Sequence, residues 1–542
     1  MKETKRGRTP KKASTHDIAP QRTSLFPLFP SLLQHRFAGL ALALAYGIVL
    51  TILNLRYHII GDYGVETDFY WSYVPQAQRL LAGTLEVQDF QGPFYPLLLA
   101  AASFFTTDLF RAGTVLATVC GAVALFLLHM LLRRLLRYDL AFVGTLLVAA
   151  NTVFVQYSYS AGTDMLFNVL VLGAVASVLV RDERRWSAVV LSGVLAGCAY
   201  LTRYNGIVLL IAVPAALLVA NPYRLSMKDR VITSAVFAGC FLATMAPWGI
   251  YSLIEKGGFF YNKNYLNIAY EMYAKGRMSW DQFWYQGPEK YTSLAQVVLT
   301  DPLLFAKTAV TNVVDHGLMD LENLAGWHLG VFSLGGIALS FRERPSPQVL
   351  AFLIVSVLFF GVLVLVFYSE RFSLFLLAPY VLLALKALTW QNLAQFRFWN
   401  RVHVGALIAA VLLMWTAIRS YDFNAQNISS GPREVLSIAE WFHAARGTPP
   451  EGTRLLARKP HSAYYLGMDL ISFPVVETYD ELLTEIKKTN AAYVYFGLME
   501  AGLRPQFQML LDPRRAPPYL HPLTYTTSPP AVLYQVILPE QQ

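Results

Sequence analysis

From residue 37 onward the chain alternates long apolar runs with short basic clusters. The runs fall at about 37–55, 110–132, 138–157, 164–180, 187–202, 205–221, 231–251, 324–341, 348–367, 372–390 and 402–419. They approach the ~20 apolar residues an α-helix needs to cross a bilayer, so the pattern predicts a polytopic α-helical membrane protein of about eleven transmembrane helices. One further stretch, "GPFYPLLLAAASFFT" (92–106), is apolar but short, and reads as an interfacial or re-entrant helix. Residues 1–36 are basic, polar and rich in Pro, Ser and Thr, without the apolar core of a secretory signal; they read as a disordered cytoplasmic tail. After 420 the pattern changes. Helix-like "REVLSIAEWFHAA" and "DELLTEIKKTN" alternate with strand-like "TRLLARK", "AAYVYFG" and "AVLYQVIL", which predicts a small α/β domain. Three parts result: the tail 1–36, a transmembrane domain 37–419 with outer loops 56–109 and 252–323, and an extracytoplasmic domain 420–542.

Composition agrees. The chain of 542 residues is 55% hydrophobic and only 15% charged, against about a quarter charged in soluble domains. A net charge of +9 raises the question of a nucleic-acid partner, and the placement of the charge answers it. Arg133, Arg134 and Arg137 form one cluster; Arg181, Arg184 and Arg185, then Arg224, Lys228 and Arg230, then Arg342 and Arg344, then Arg397 and Arg401 form the others. Short cytoplasmic loops collect Lys and Arg. Assigning every cluster to the cytoplasm lets the helices alternate without contradiction, with the N-terminus inside and the C-terminal domain outside. Cys120, Cys198 and Cys240 all lie in apolar runs and suggest neither a disulfide framework nor a zinc site.

On this topology, polar residues from distant segments meet at the outer membrane surface. Asp62, Glu66, Asp68, Glu86 and Asp89 lie in the first outer loop, Asp164 follows "QYSYSAGT", Arg203 and Asn205 lie in "YLTRYNG", and Glu370 and Arg371 in "FYSERFSLFLLAPY". Ionisable residues at that depth are costly unless paired or hydrated, which makes them functional candidates. Asp164 also has a plainer use as a helix cap, and Glu66 and Glu86 read as solvated loop charges. Asp68 stands among Tyr70, Trp71 and Tyr73, where a desolvated carboxylate is a stronger base. The aromatic second outer loop, "GGFFYNKNYLNIAYEMYAKGRMSWDQFWYQGPEKY", fits the headgroup level and fits stacking on sugar rings equally well.

Several motifs, in order, carry a resemblance. They are "TDFYWSYVPQAQRLLAG", "QGPFYPLLLA", "LLRRLLR", "SAGTDMLFNVL", "YLTRYNG", "ERFSLFLLAPY" and "ARKPHSAYYLG". Together they resemble the membrane glycosyltransferases of the C-type fold, relatives of the protein O-mannosyltransferases and of the lipid A aminoarabinose transferase. Two departures stand out: Asp68-Phe69 stands where the mannosyltransferases carry an Asp-Glu pair, so the second carboxylate is missing or replaced by Glu66, and Gln91 stands where a basic residue often precedes the Pro segment. The resemblance implies transfer of a sugar from a polyprenyl-phosphate donor in the membrane lipid to a glycolipid, polysaccharide or protein acceptor outside a cell (cytoplasmic) membrane, with a bacterial one as the default. It implies Asp68 as base, Asp164 as its partner or as co-ligand of a divalent metal ion, and Arg203 and Arg371 as phosphate-facing charges. Glu66, Gln91, Tyr95, Asn205 and Glu370 are implied substrate contacts. No cofactor follows with certainty, and two carboxylates alone make a poor metal site. The rival reading is a multi-pass transporter, but no internal repeat is evident and the charges gather at the outer end rather than the midplane.

Overall fold

The computed structural model describes residues 37–286, 288–390, 393, 395–398 and 402–538; the expected tail 1–36 lies outside them. The chain is mostly helical, with a small sheet near its C-terminal end. Four helices are long and apolar enough to cross a membrane: Ala38–Tyr57, Leu109–Leu135, Met227–Lys256 and Val404–Asn427. Two more spans count if the bent pairs Tyr138–Ala149 with Thr152–Tyr159 (62°) and Leu294–Thr300 with Pro302–Leu324 (99°) are each taken as one. Five other apolar helices, among them Thr163–Leu179 and Trp186–Thr202, have only 10–17 residues. At 1.5 Å per residue they reach at most ~26 Å, short of the ~30 Å hydrocarbon core. Among the described residues, then, four to six spans are found where the run pattern predicts eleven.

Environment explains much of that difference. Thr163–Leu179 is buried on almost every side, Val171 and Val175 completely, so its apolar residues face other helices. Ala38–Tyr57 instead leaves Leu44, Ile48, Val49 and Ile52 exposed, as a lipid-facing helix should. Apolarity all round does not distinguish the two cases. The second outer loop also differs from expectation, because it contains the 18-residue helix Pro302–Met319. Asp301 caps it by accepting from Leu304 N, and Pro302 opens it, while Leu303, Val310 and Val314 stay exposed. Lys307 interrupts that apolar face, while His316 is buried on the other side. The 92–106 stretch forms the nine-residue helix Phe94–Ala102, too short to span.

Close packing sets the position of the helix that carries Arg203. Along Trp186–Thr202, a Cβ at Gly193 would stand 2.6 Å from Phe237 O of the Met227–Lys256 helix, so only glycine admits this approach.

In the C-terminal domain, strands β1 (Arg454–Ala457), β2 (Asp469–Ser472), β3 (Tyr493–Gly497), β4 (Leu520–Thr527) and β5 (Pro530–Val536) form one sheet in the order β2-β1-β3-β5-β4. β1 is parallel to β2 and β3; β5 is antiparallel to β3 and β4. Alternate residues serve two cores. Leu455, Ala457, Tyr495 and Leu533 pack under the Arg433–Arg446 helix, while Leu456, Val494, Phe496, Val532 and Tyr534 meet the Tyr479–Thr489 helix. Ile60, from the loop after the first span, completes the first of these cores. That loop and the C-terminal domain therefore lie on the same side of the helical body.

Candidate active site

Asp68 ends the loop that follows the first span. Directly after it the chain makes a π-helical turn, Phe69–Tyr73, before the α-helix Val74–Leu81. Pro75 has no N–H to offer the preceding turn, and such wide turns are frequent at functional sites. The turn buries Phe69, Tyr70 and Tyr73 and leaves Trp71 out. The carboxylate of Asp68 is 45% exposed, contrary to the desolvated setting its aromatic neighbours suggest, because their rings pack inward. Both terminal nitrogens of Arg371 lie 3.5 Å from Asp68 Oδ2.

Asp164 sits in the first turn of Thr163–Leu179, where Gly162 and not an acidic residue is the N-cap. Its side chain is 7% exposed and is paired with Arg203 Nη1. Arg203 is the extended residue ending the Trp186–Thr202 helix, and its Nη1 also faces Thr163 Oγ1 at 3.4 Å. The two guanidiniums share one ring, with Arg203 Cζ 4.8 Å and Arg371 Cζ 5.0 Å from the centroid of Phe372. Burial of the Arg371 guanidinium works against its charge, but Asp164 and Asp68 outweigh it and hold its pKa above the usual value. The centre is thus two carboxylates and two guanidiniums around Phe372, with Asp68 the more accessible acid.

Glu66 is a correction. It is fully buried, not a solvated loop charge, and its oxygens accept from Ala161 N (2.6 Å), Asp62 N (3.0 Å) and His58 Nε2 (3.0 Å). Burial opposes the charge of His58, but Glu66 more than offsets it and raises the ring's pKa. Glu66 therefore ties the Asp68 loop to the turn that precedes Asp164. The loop's other acids are also engaged. Asp62 Oδ1 accepts from Gly64 N and Val65 N, Glu86 pairs with Arg79, and Asp89 binds Lys263 (2.8 Å) and Tyr261 (2.6 Å).

The remaining candidates flank the centre. Gln91 Oε1 accepts from Ser72 Oγ (2.5 Å) and Gln76 Nε2 (3.2 Å), which braces the Asp68 turn from the side. Tyr95 is fully buried against Tyr73, with its hydroxyl unpartnered. Asn205 lies two residues past Arg203, its buried Oδ1 also unpartnered. Glu370 is half-buried beside Arg371. No group of three or more His, Cys, Asp or Glu able to hold a metal ion occurs among the described residues. Both central carboxylates face guanidiniums, so the donor set does not fit a metal.

Sequence reasoning missed His58, Phe372 and the C-terminal domain's reach. His461 Nε2 donates to Asp62 O at 3.2 Å, and Tyr70 and Tyr465 hydroxyls meet at 3.2 Å. Asp281 of the second loop is clamped by Arg458 (2.7 Å) and Arg504 (3.2 Å). The "ARKPHSAYYLG" segment was visible as a motif, but nothing in it shows which loops it would touch.

Comparisons with known proteins agree with this architecture. Residues 91–251 match the family model described as dolichyl-phosphate-mannose-protein mannosyltransferase. ArnT from Cupriavidus metallidurans, solved bound to undecaprenyl phosphate, superposes with a TM-score of 0.60 at 13% identity, covering 93% of this chain and 99% of that one. The chain has the C-type glycosyltransferase fold. The archaeal oligosaccharyltransferase AglB from Archaeoglobus fulgidus, solved with an inhibitory peptide and a dolichol-phosphate, shares this C-type fold with a TM-score of 0.59 at 15% identity, covering 93% of this chain and 74% of that one. No curated protein sequence matches the chain. These likenesses show the C-type fold, and the segment 91–251 is similar to the O-mannosyltransferase family model.

Proposed function

We propose that this protein transfers a sugar from a polyprenyl-phosphate donor to a hydroxyl of a glycolipid, polysaccharide or protein on the extracytoplasmic face of a bacterial cytoplasmic membrane. In this reading residues 37–419 form the catalytic membrane domain and 420–542 an extracytoplasmic domain resting on its first loop. The observation that carries the proposal is the accessible Asp68 carboxylate facing Arg371, beside the buried Asp164–Arg203 pair.

Asp68 takes the proton from the acceptor hydroxyl as its oxygen attacks the anomeric carbon. The bond from that carbon to the phosphate oxygen breaks, and polyprenyl phosphate leaves with one more negative charge. A phosphate leaving group needs fixed positive charge more than an acid. Arg371, loosely held by Asp68, and Arg203 supply it. Asp164 keeps Arg203 oriented, Glu66 holds the two acidic turns in register, and Gln91, Tyr95, Asn205 and Glu370 border the space where sugar and acceptor meet. No step runs through a metal.

The test is transfer from radiolabelled polyprenyl-phosphate sugars by the full chain in lipid, with a membrane extract as acceptor source. Asp68→Asn is expected to lose about 10²–10⁴-fold in rate, the usual worth of a general base, while remaining folded. Wild-type activity in that variant would remove Asp68 as the base.

A further inference from the structure

The junction between β1 and the Pro460–Leu466 helix sends consecutive residues to two different loops. Arg458 reaches Asp281 in the second loop. Lys459 turns the other way, and its Nζ donates to Tyr63 O at 2.5 Å and Thr67 Oγ1 at 2.9 Å. Thr67 Oγ1 itself donates to Tyr63 O at 2.7 Å, so one ammonium and one hydroxyl close the turn 63–67. Asp68 is the next residue, and its charge is within electrostatic reach of Lys459. Pro460, His461, Ser462 and Ala463 directly behind Lys459 are buried, which fixes where the lysine stem starts.

Asp68 is therefore influenced by two cations of unrelated origin: Arg371, 3.5 Å from its carboxylate, and Lys459 of the C-terminal domain, bonded to the turn that precedes it. Lys459 bonds the backbone that delivers Asp68, and its ammonium is already occupied there. We propose that Lys459 is a positioning residue that sets the turn before Asp68, so that the C-terminal domain completes the transfer site. The inference rests on the reading of Asp68 as base. A misplacement of about 1 Å in such a group costs on the order of 10²-fold in rate, and substrate binding far from the base is unaffected.

The test uses the full chain in lipid nanodiscs with two readouts. The first needs no substrate: carbodiimide-coupled labelling of carboxyl groups with glycine ethyl ester at a single pH, read by peptide mass spectrometry. Lys459→Met is expected to raise labelling of Asp68 several-fold while the exposed Asp422 is unchanged, and Lys459→Arg to restore it. The second is turnover of radiolabelled undecaprenyl-phosphate mannose. There Lys459→Met lowers kcat about 10–10²-fold with KM for the donor unchanged, and Lys459→Arg recovers most of it. Thr67→Val, which keeps the lysine and removes one acceptor, shows the same changes in smaller measure and serves if Lys459→Met does not fold. Equal Asp68 labelling in wild type and the variants, or a kcat loss that arginine does not rescue, overturns the proposal. Asp68→Asn run alongside separates the two readings. If it turns over normally, the base assignment falls and the role of Lys459 with it. If it is inactive while Lys459→Met keeps wild-type kcat, only the role of Lys459 falls.

Discussion

His461 makes the contact between the C-terminal domain and the first loop sensitive to acid. The ring is fully buried, wedged 4.9 Å from Tyr63 and 4.3 Å from Tyr70, with Nδ1 unpartnered. Burial first, and then the charge of Lys459, push its pKa down to about 3. A released, solvated histidine titrates near ~6.5. Between those values the undocked state binds a proton that the docked state does not, so docking is strongest above ~6.5 and weakens as pH falls. At about 1.36 kcal/mol per pH unit, the loss is about 2 kcal/mol by pH 5, with a ceiling of about 5 kcal/mol near pH 3. The assay is amide hydrogen exchange across 461–466 in the full chain, corrected for intrinsic rates, at pH 7.5 and 5. Wild-type protection should fall roughly 30-fold, as about 2 kcal/mol requires. His461→Phe should start about 1 kcal/mol lower, having lost the bond to Asp62 O, and then stay flat. If both proteins lose protection equally, the ring is not the source of the acid sensitivity and the reasoning fails.

Other outcomes follow from the same geometry. Glu66→Ala leaves Ala161 N, Asp62 N and His58 without their acceptor, and should cost about 3–5 kcal/mol in thermal or denaturant unfolding. The raised His58 has the opposite sign to His461: its contribution is present below ~6.5 and disappears as pH rises through the folded value, and Glu66→Gln should abolish that alkaline dependence. Asp164→Ala strands Arg203 in a largely buried setting and should reduce folded yield, whereas Asp164→Ala with Arg203→Leu should recover folding, by size-exclusion profile, without recovering transfer. Although burial raises the pKa of Asp281, the bonds and charges of Arg458 and Arg504 bring it below the usual range. Its clamp should therefore hold at neutral pH and fail only below ~4. Asp281→Asn should expose the 258–286 segment to limited proteolysis at pH 7.

The sequence made the apolar runs and the convergence of charges legible, because both depend on composition along a line. Asp68, Asp164, Arg203 and Arg371 were recoverable as ionisable residues at matching depths. The use of each acid was not. Glu66 and Asp68 are two residues apart in the same polar segment, yet one is sealed against Ala161 and His58 while the other is open. Only the tertiary path decides which. The count of eleven spans is not confirmed, four to six being found among the described residues, and the run pattern is a weak guide to it because a residue such as Val175 is apolar whether lipid or protein surrounds it. His58 carried no signal of its pairing with Glu66, and Lys459, although inside a visible motif, gave none of its partner Tyr63, which lies 396 residues away.

That separation has a consequence in time. Lys459 is 396 residues beyond the Tyr63 carbonyl it holds, and the buried core that Ile60 joins is otherwise built from Val435 onward. At a synthesis rate of about 5–20 residues per second, the first loop is made some 20–80 s before the domain that seats it. Through that interval the helices can insert and pack while the loop bearing Asp68 waits. On the proposed reading of Lys459, a chain cut short after the Val404–Asn427 helix is expected to insert yet to lack the contact that seats the Asp68 turn.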